Sequence, residues 1–261
     1  MVVSGLTFLY PMLWMLIMSL KEKNEIFDNP FGLPKAVDFL NYTEVLKKGE
    51  FLVWFGNSLI YCVATIALTL VLSSMFAYGV SRMRFRFGKA AMTYVSLGLV
   101  IPVQISIIPL YIILQKLHLR ETYFGLILPY AAFSLASATL MLYAFFRTLP
   151  FELEEAACLD GCNVYTCFIK IILPMVKPAL STQVALIFMN TWNEFFLAYI
   201  LSTRKNMPLT VAFLDFLVGI GTNDWGIITA AMLISSIPVI IVYLIFSDKI
   251  EQALTAGAIL K

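Results

Sequence analysis

Two short stretches of this 261-residue chain carry side chains whose types and spacing could do chemistry. In the first, Glu152, Glu154 and Glu155 precede Ala156 and Ala157, and Asp160-Gly161 follows. Acids suit the positive end of a helix, alanine favours the helix without adding bulk, and glycine ends it. Val164 to Ile172 reads as a second short helix, with Pro174 and Pro178 leading onward. Small residues beside a glycine bend suit close docking of another protein against the backbone; an interfacial helix lying in lipid headgroups is the plainer alternative. In the second stretch, Asn190 and Glu194 are four residues apart and so share a helical face, beside Trp192 and Asn193. They could hydrogen-bond a polyhydroxyl solute, or they could hold two helices together.

Other reactive types are present without a usable pattern. Cys158, Cys162 and Cys167 have no nearby histidine and do not match a zinc spacing. No G-x-x-x-x-G-K-[ST] loop occurs, so nucleotide is not bound through that motif. His118 falls in a short turn, and no nucleophile, histidine and acid come together as a set. The chain reads as a non-enzyme.

The elements that must position these residues are apolar. The chain is 61% hydrophobic and 13% charged, where a soluble domain carries about 25% charge. That excludes disorder, a coiled coil and a nucleic-acid surface. Mean hydropathy is +0.87. Charges bound six long neutral runs: 1–20, 51–81, 90–115, 122–146, 178–193 and 225–247. Five reach the length of about 20 residues that a bilayer crossing needs; the run from 178 resumes after Glu194 and extends to Leu201. The runs are too long and too uniformly apolar for barrel strands. The expectation is an all-α membrane protein of one domain, 1–261, with six transmembrane helices at about 2–20, 55–80, 90–114, 123–146, 179–201 and 226–246.

The first run has neither a positive leading region nor a small-residue cleavage site, so it reads as a retained helix rather than a secretory signal. In the third, Pro102 and Pro109 flank Gln104 and Ser106, and each proline removes a backbone hydrogen bond, so a kink is expected. Asn57, Tyr61, Ser73, Ser74 and Tyr78 form a polar seam in the second. Together with Gln104, Asn190, Asn193 and Glu194, the residues Asn57 and Tyr78 are the candidates for lining a path. Glu194 is also the one acid in a span, and a carboxylate in lipid costs about 2.5–3.5 kcal/mol, so it should face protein or water. Lys and Arg divide nine to each side of the membrane, but Arg82, Arg84, Arg86 and Lys89 cluster without an acid and mark a cytoplasmic segment. Six spans then place both termini in the cytoplasm. A lone secondary transporter would need an intramembrane charge network, which Glu194 by itself does not make.

The spacing Glu155-Ala156-Ala157, three residues, Gly161, nine residues, Ile171, one residue, Leu173-Pro174 resembles the EAA loop of importer-type ABC permeases. Other segments are similar to the carbohydrate, maltose-type (MalG-like) branch of the binding-protein-dependent permeases. They are Ser19-Leu20-Lys21, Asn41-Tyr42, Asn57-Ser58-Leu59, Ala77-Tyr78 with Ser81-Arg82, Trp192-Asn193-Glu194-Phe195, and Leu254 to Ala258. The resemblance covers nearly the whole chain, though the cytoplasmic lead-in usual before the first helix is missing. It implies a type I ABC importer permease fold in the cell (inner or plasma) membrane, with a cytoplasmic coupling loop at 150–174. Its implied partners are a second, MalF-like permease subunit, two ATPase subunits and an extracytoplasmic solute-binding protein. The implied substrate is a sugar and the implied setting a lipid bilayer, with no nucleic acid. It also implies no directly bound cofactor, ATP and Mg being used by the ATPase subunits. Glu155, Ala156, Ala157, Asp160, Gly161, Ile171, Leu173 and Pro174 would be the ATPase-coupling residues. The segment 202–224 would meet the binding protein.

Overall fold

In the computed structural model the chain is helical, with no strand among the described residues, which are 2–47, 49–83, 86–219 and 224–259. Arg84 of the basic segment and Leu260 and Lys261 lie outside them, as do the side chains of the 254–258 tail. In chain order the helices are α1 (Val2–Ser19), α2 (Lys23–Asp28), α3 (Leu40–Lys47), α4 (Gly49–Arg82), α5 (Gly88–Leu97), α6 (Val103–Lys116) and α7 (Phe124–Thr148). They continue with α8 (Glu152–Leu159), α9 (Val164–Cys167), a π turn (Phe168–Ile172), α10 (Leu173–Met175), α11 (Lys177–Trp192), α12 (Phe196–Leu201), α13 (Leu209–Gly219) and α14 (Trp225–Ile259).

Six continuous spans are not what the apolar runs produce. Among the described residues, Glu50–Arg82, Phe124–Thr148 and Trp225–Lys249 are long and apolar enough to cross a bilayer. A fourth arises if Val164–Met175 and Lys177–Trp192, bent by 75°, are taken as one. Leu9–Ser19 and Val103–Lys116 are apolar but shorter. The expected span 90–114 is two helices. Pro102 has no N–H to continue the helix and disfavours the helical region for Ile101, and it sits extended (φ −64°, ψ 133°) immediately before α6. Single-turn bonds bridge the gap, such as Val100 N–H to the Leu97 carbonyl at 3.0 Å. Pro109, by contrast, lies inside α6. The expected span 179–201 is also two helices, interrupted between Trp192 and Phe196.

The chain divides into two compact units, one of Met1–Leu59 with Asn206–Ile241 and one of Ile60–Lys205 with Val242–Lys261. Hydrogen bonds made by side chains hold the first unit together. Ser19 Oγ and the Tyr42 hydroxyl are 2.7 Å apart, and Asn41 Nδ2 donates to the carbonyls of Ser19 and Lys21, both at 2.9 Å. Lys21 is fully buried, and its ammonium donates to the Asn29 carbonyl. Asn57 Nδ2 donates to the Met207 carbonyl at 2.9 Å, and Ser58 Oγ accepts from Leu209 N–H at 2.8 Å. A Cβ on Gly226 would come within 2.5 Å of the Asn41 amide, so a larger residue there would have to displace that side chain from its bonds. The paired residues Ser19, Asn41-Tyr42 and Asn57-Ser58 are therefore joints of the scaffold.

In the second unit α7 is the central helix and packs against α5, α6, α11 and α12. Its neighbour α4 buries Tyr61, Thr65, Thr69, Ser73 and Ala77, each four residues from the last, and exposes Val63, Val71 and Met75. A stripe with small or polar side chains inside and large apolar ones outside suits a helix that packs on protein and faces lipid.

Candidate functional site

The stretch 150–176 is built around Gly161. α8 ends in a paired closure: Gly161 N–H bonds the Cys158 carbonyl at 3.0 Å, and Cys162 N–H reaches back to the Ala157 carbonyl at 2.9 Å. This six-to-one bond requires a left-handed residue, and Gly161 supplies it with φ +79°. No atom lies within 4 Å of where its Cβ would stand. Asn163 then starts α9, its side chain accepting from Thr166 N–H at 2.8 Å.

The coupling candidates separate into two sets. Ala157 is buried, and Ile171 and Leu173 pack onto a core made by Tyr78, Leu142, Phe146, Ile172 and Val176. Glu155, Ala156, Asp160 and Gly161 form an exposed face, and Pro174 is also exposed. Leu159, 91% exposed, and Tyr165, 75% exposed, share that stretch. Residue typing missed both; the signal was available in Leu159, which follows Glu155 by one helical turn.

Arg82, the last residue of α4, fixes this segment. Its Nε donates to both oxygens of Glu154 at 3.2 Å, Nη1 to the Leu149 carbonyl at 2.7 Å, and Nη2 to the Pro150 carbonyl at 2.9 Å. Its guanidinium carbon stands 3.8 Å from the centre of the Phe151 ring. The Arg82 side chain is 1% exposed and that of Glu154 is 19% exposed. The guanidinium thus closes the carbonyl end of α7 while binding the first turn of α8. Above it, Tyr78 meets Phe146 edge-on at 5.9 Å and Phe168 at 4.8 Å. Nearby Cys167 is buried, and its thiol pKa is raised by that burial and then by the Glu154 charge. Tyr78, a path candidate, stands in this aromatic core.

Gln104, Asn190 and Glu194 do come together, in a cavity of about 310 Å³. Tyr130, Ser134, Ser137 and Thr191 add hydroxyls, and Phe133 and Phe196 add rings. Glu194 lies past the end of α11 and caps α12. Its Oε1 accepts from Leu197 N–H at 2.8 Å, and its Oε2 accepts from Ala198 N–H at 3.0 Å and from the Tyr130 hydroxyl at 2.9 Å. Asn193 turns away from the cavity, donating to the Met189 carbonyl at 2.9 Å. Asn57 is engaged in the first unit, as described above. Among the described residues, no group of His, Cys, Asp and Glu could hold a metal ion.

Residues 69–256 match the family model for the binding-protein-dependent transport system inner membrane component. The chain is 35% identical over 252 residues to YurM of Bacillus subtilis (strain 168), a probable ABC transporter permease, covering 96% of this chain and 83% of that one. It is 35% identical over 250 residues to NgcG, a diacetylchitobiose uptake system permease of Streptomyces coelicolor (strain ATCC BAA-471 / A3(2) / M145), covering 95% and 82%. A bacterial ABC transporter involved in importing the acidic polysaccharide alginate superposes with a TM-score of 0.84 at 25% identity, over 94% of this chain and 92% of the other. The chain belongs to the binding-protein-dependent transport system inner membrane component family, as an ABC transporter permease that performs no catalysis of its own.

Proposed function

We propose that the chain is the MalG-like permease subunit of an ATP-driven sugar importer in the cell membrane. It pairs with a second permease subunit, two ATPase subunits and an extracytoplasmic binding protein. ATP and Mg are bound by the ATPases. The sugar assignment draws on the relatives, one handling diacetylchitobiose and one alginate. The chain acts as one permease domain that crosses the membrane six times. The third crossing is α5 with α6 and the fifth is α11 with α12, so each broken helix pair counts once. Both termini and the 150–174 segment face the cytoplasm, and 202–224 faces the binding protein.

The observation that carries this reading is the exposed turn at Gly161 standing on a buried, ion-paired base. α8 offers Glu155, Ala156 and Asp160 to the ATPase, and Gly161 lets the partner approach the backbone closely. Leu159 and Tyr165 supply apolar area of the kind that an interface covers. When the ATPases close on ATP, the displaced α8 pulls on Arg82 and therefore on α4. The same movement passes through buried Ile172, Val176 and Ala179 into α11 across the 75° bend. A packed core transmits such a displacement because it has no slack to absorb it.

Proteoliposomes holding both permeases and both ATPases test the proposal. The reading expects sugar uptake only with ATP inside and binding protein outside. Uptake that continues without nucleotide would overturn it in favour of a carrier that works alone.

A further inference from the structure

We propose that the cavity between α6, α7 and the α11–α12 break is a sugar subsite of this subunit itself, selective for neutral over acidic saccharides. The proposal rests on the importer reading and deepens it. Two features select the ligand class. Gln104 and Asn190 line the cavity, and neither side chain makes a hydrogen bond to protein among the described residues. Each presents a donor and an acceptor, which is what a sugar hydroxyl, itself both, can satisfy. Ser134, Ser137 and Thr191 extend that neutral polar wall, and Phe133 and Phe196 give apolar surface for the C–H face of a ring. A small number of placed polar groups within an apolar lining is the usual composition of a ligand pocket, and about 310 Å³ is at the lower end of the range for such pockets.

The second feature is charge. Glu194 is the acid in the cavity wall, and no Lys, Arg or His joins it among the described lining residues. Its oxygens already accept from two backbone amides and from the Tyr130 hydroxyl. A uronate or sulfonated sugar would bring a second negative charge beside the Glu194 carboxylate, with no cation among the described lining residues to offset it. A neutral glycoside meets only hydrogen-bond partners. The permease of the alginate importer shares the backbone fold with this chain, so the discrimination would lie in these side chains and not in the architecture.

The test uses the assembled importer in nanodiscs, with Asn190→Cys introduced and a small water-soluble thiol reagent as the probe. The sugars are N,N′-diacetylchitobiose and trehalose as neutral ligands and an alginate disaccharide as the acidic one. The expected result is that a neutral sugar slows modification by about threefold or more while the alginate disaccharide does not. Glu194→Gln keeps a cap for α12 and removes the charge, and it should let the acidic sugar protect as well. In otherwise wild-type protein, Gln104→Ala should raise the half-saturating neutral sugar concentration by about tenfold. Protection by the acidic sugar in the parent importer would overturn the proposal. Undiminished labelling with every sugar, while ATP-driven uptake of a neutral sugar proceeds, would also overturn it yet leave the importer reading standing. Absence of ATP-driven uptake would remove that reading as well.

Discussion

The turn at Gly161 and the break at Glu194 both interrupt a helix in the second unit, and they are stabilised in opposite ways. At Gly161 the side chains face outward and the backbone closes on itself, through the Ala157 and Cys158 carbonyls. The base beneath is packed and charge-clamped, with Arg82 reaching Glu154 and the carbonyls of Leu149 and Pro150. At Glu194 one side chain turns inward to close the backbone of α12, and the space beside it stays open. The first arrangement is stiff inside and available outside, as a part that is pushed should be. The second is available inside, as a part that admits a solute should be. Placement of the polar groups, more than their number, separates the two roles.

Substitutions at these positions should divide along the same line. The largest effect is expected for Gly161→Leu. It adds a side chain at φ +79°, where a non-glycine residue costs about 1–2 kcal/mol, and it stands the partner off the backbone. Uptake should fall below detection while the amount of protein in the membrane stays normal, as immunoblots and transport assays can check. Wild-type uptake together with normal ATPase co-purification would break the comparison on its coupling side.

Next comes Arg82→Met, which leaves Glu154 without its cation and the end of α7 uncapped. Breaking such a buried pair costs about 3 kcal/mol, so the melting temperature in detergent should drop clearly. Arg82→Lys should recover only part, since an ammonium cannot reach the carboxylate and two carbonyls in the same fork. Equal melting for all three proteins would show that the clamp contributes nothing.

Glu194→Ala should have a smaller effect, about 1–2 kcal/mol for the lost cap of α12 and the Tyr130 bond. Its sharper consequence is local: amide exchange at Leu197 and Ala198 should speed up while exchange in α8 does not change. Faster exchange in both places would mean that the two breaks are not independent.

The mildest test uses the native cysteines. Cys158 is exposed and Cys167 is buried, with its thiol pKa raised. A raised pKa means less thiolate at neutral pH, so Cys167 should alkylate more slowly than Cys158 and gain more as the pH is increased. Matching rates for the two thiols at pH 7.5 would contradict the packed base.

Much of the helical content was legible as uninterrupted apolar sequence, and so was the Gly161 bend, because glycine marks a left-handed residue by its type. The interruptions were not equally visible. Pro102 signalled a kink, yet the break after Trp192 has no proline; Glu194 there caps α12 and also bonds Tyr130, which is 64 residues away. Arg82 read as one positive charge among four because most of its partners are backbone carbonyls, which carry no residue-type signature. Asn57 and Tyr78 read as path residues because a polar group in an apolar run looks the same whether it faces a solute or bonds a neighbouring segment. In the fold Asn57 bonds the Met207 backbone and Tyr78 packs tilted against the Phe168 ring.

The central claim, that the Gly161 turn is held against a nucleotide-hydrolysing partner, is tested most directly by crosslinking from Cys158, the exposed thiol on that face. In membranes carrying the assembled importer, a short bifunctional maleimide should join this chain to the ATPase subunit, with a yield that changes between the ATP-bound and nucleotide-free states. Failure to capture the ATPase in either state, or modification of Cys158 by an impermeant reagent applied outside intact cells, would contradict the account.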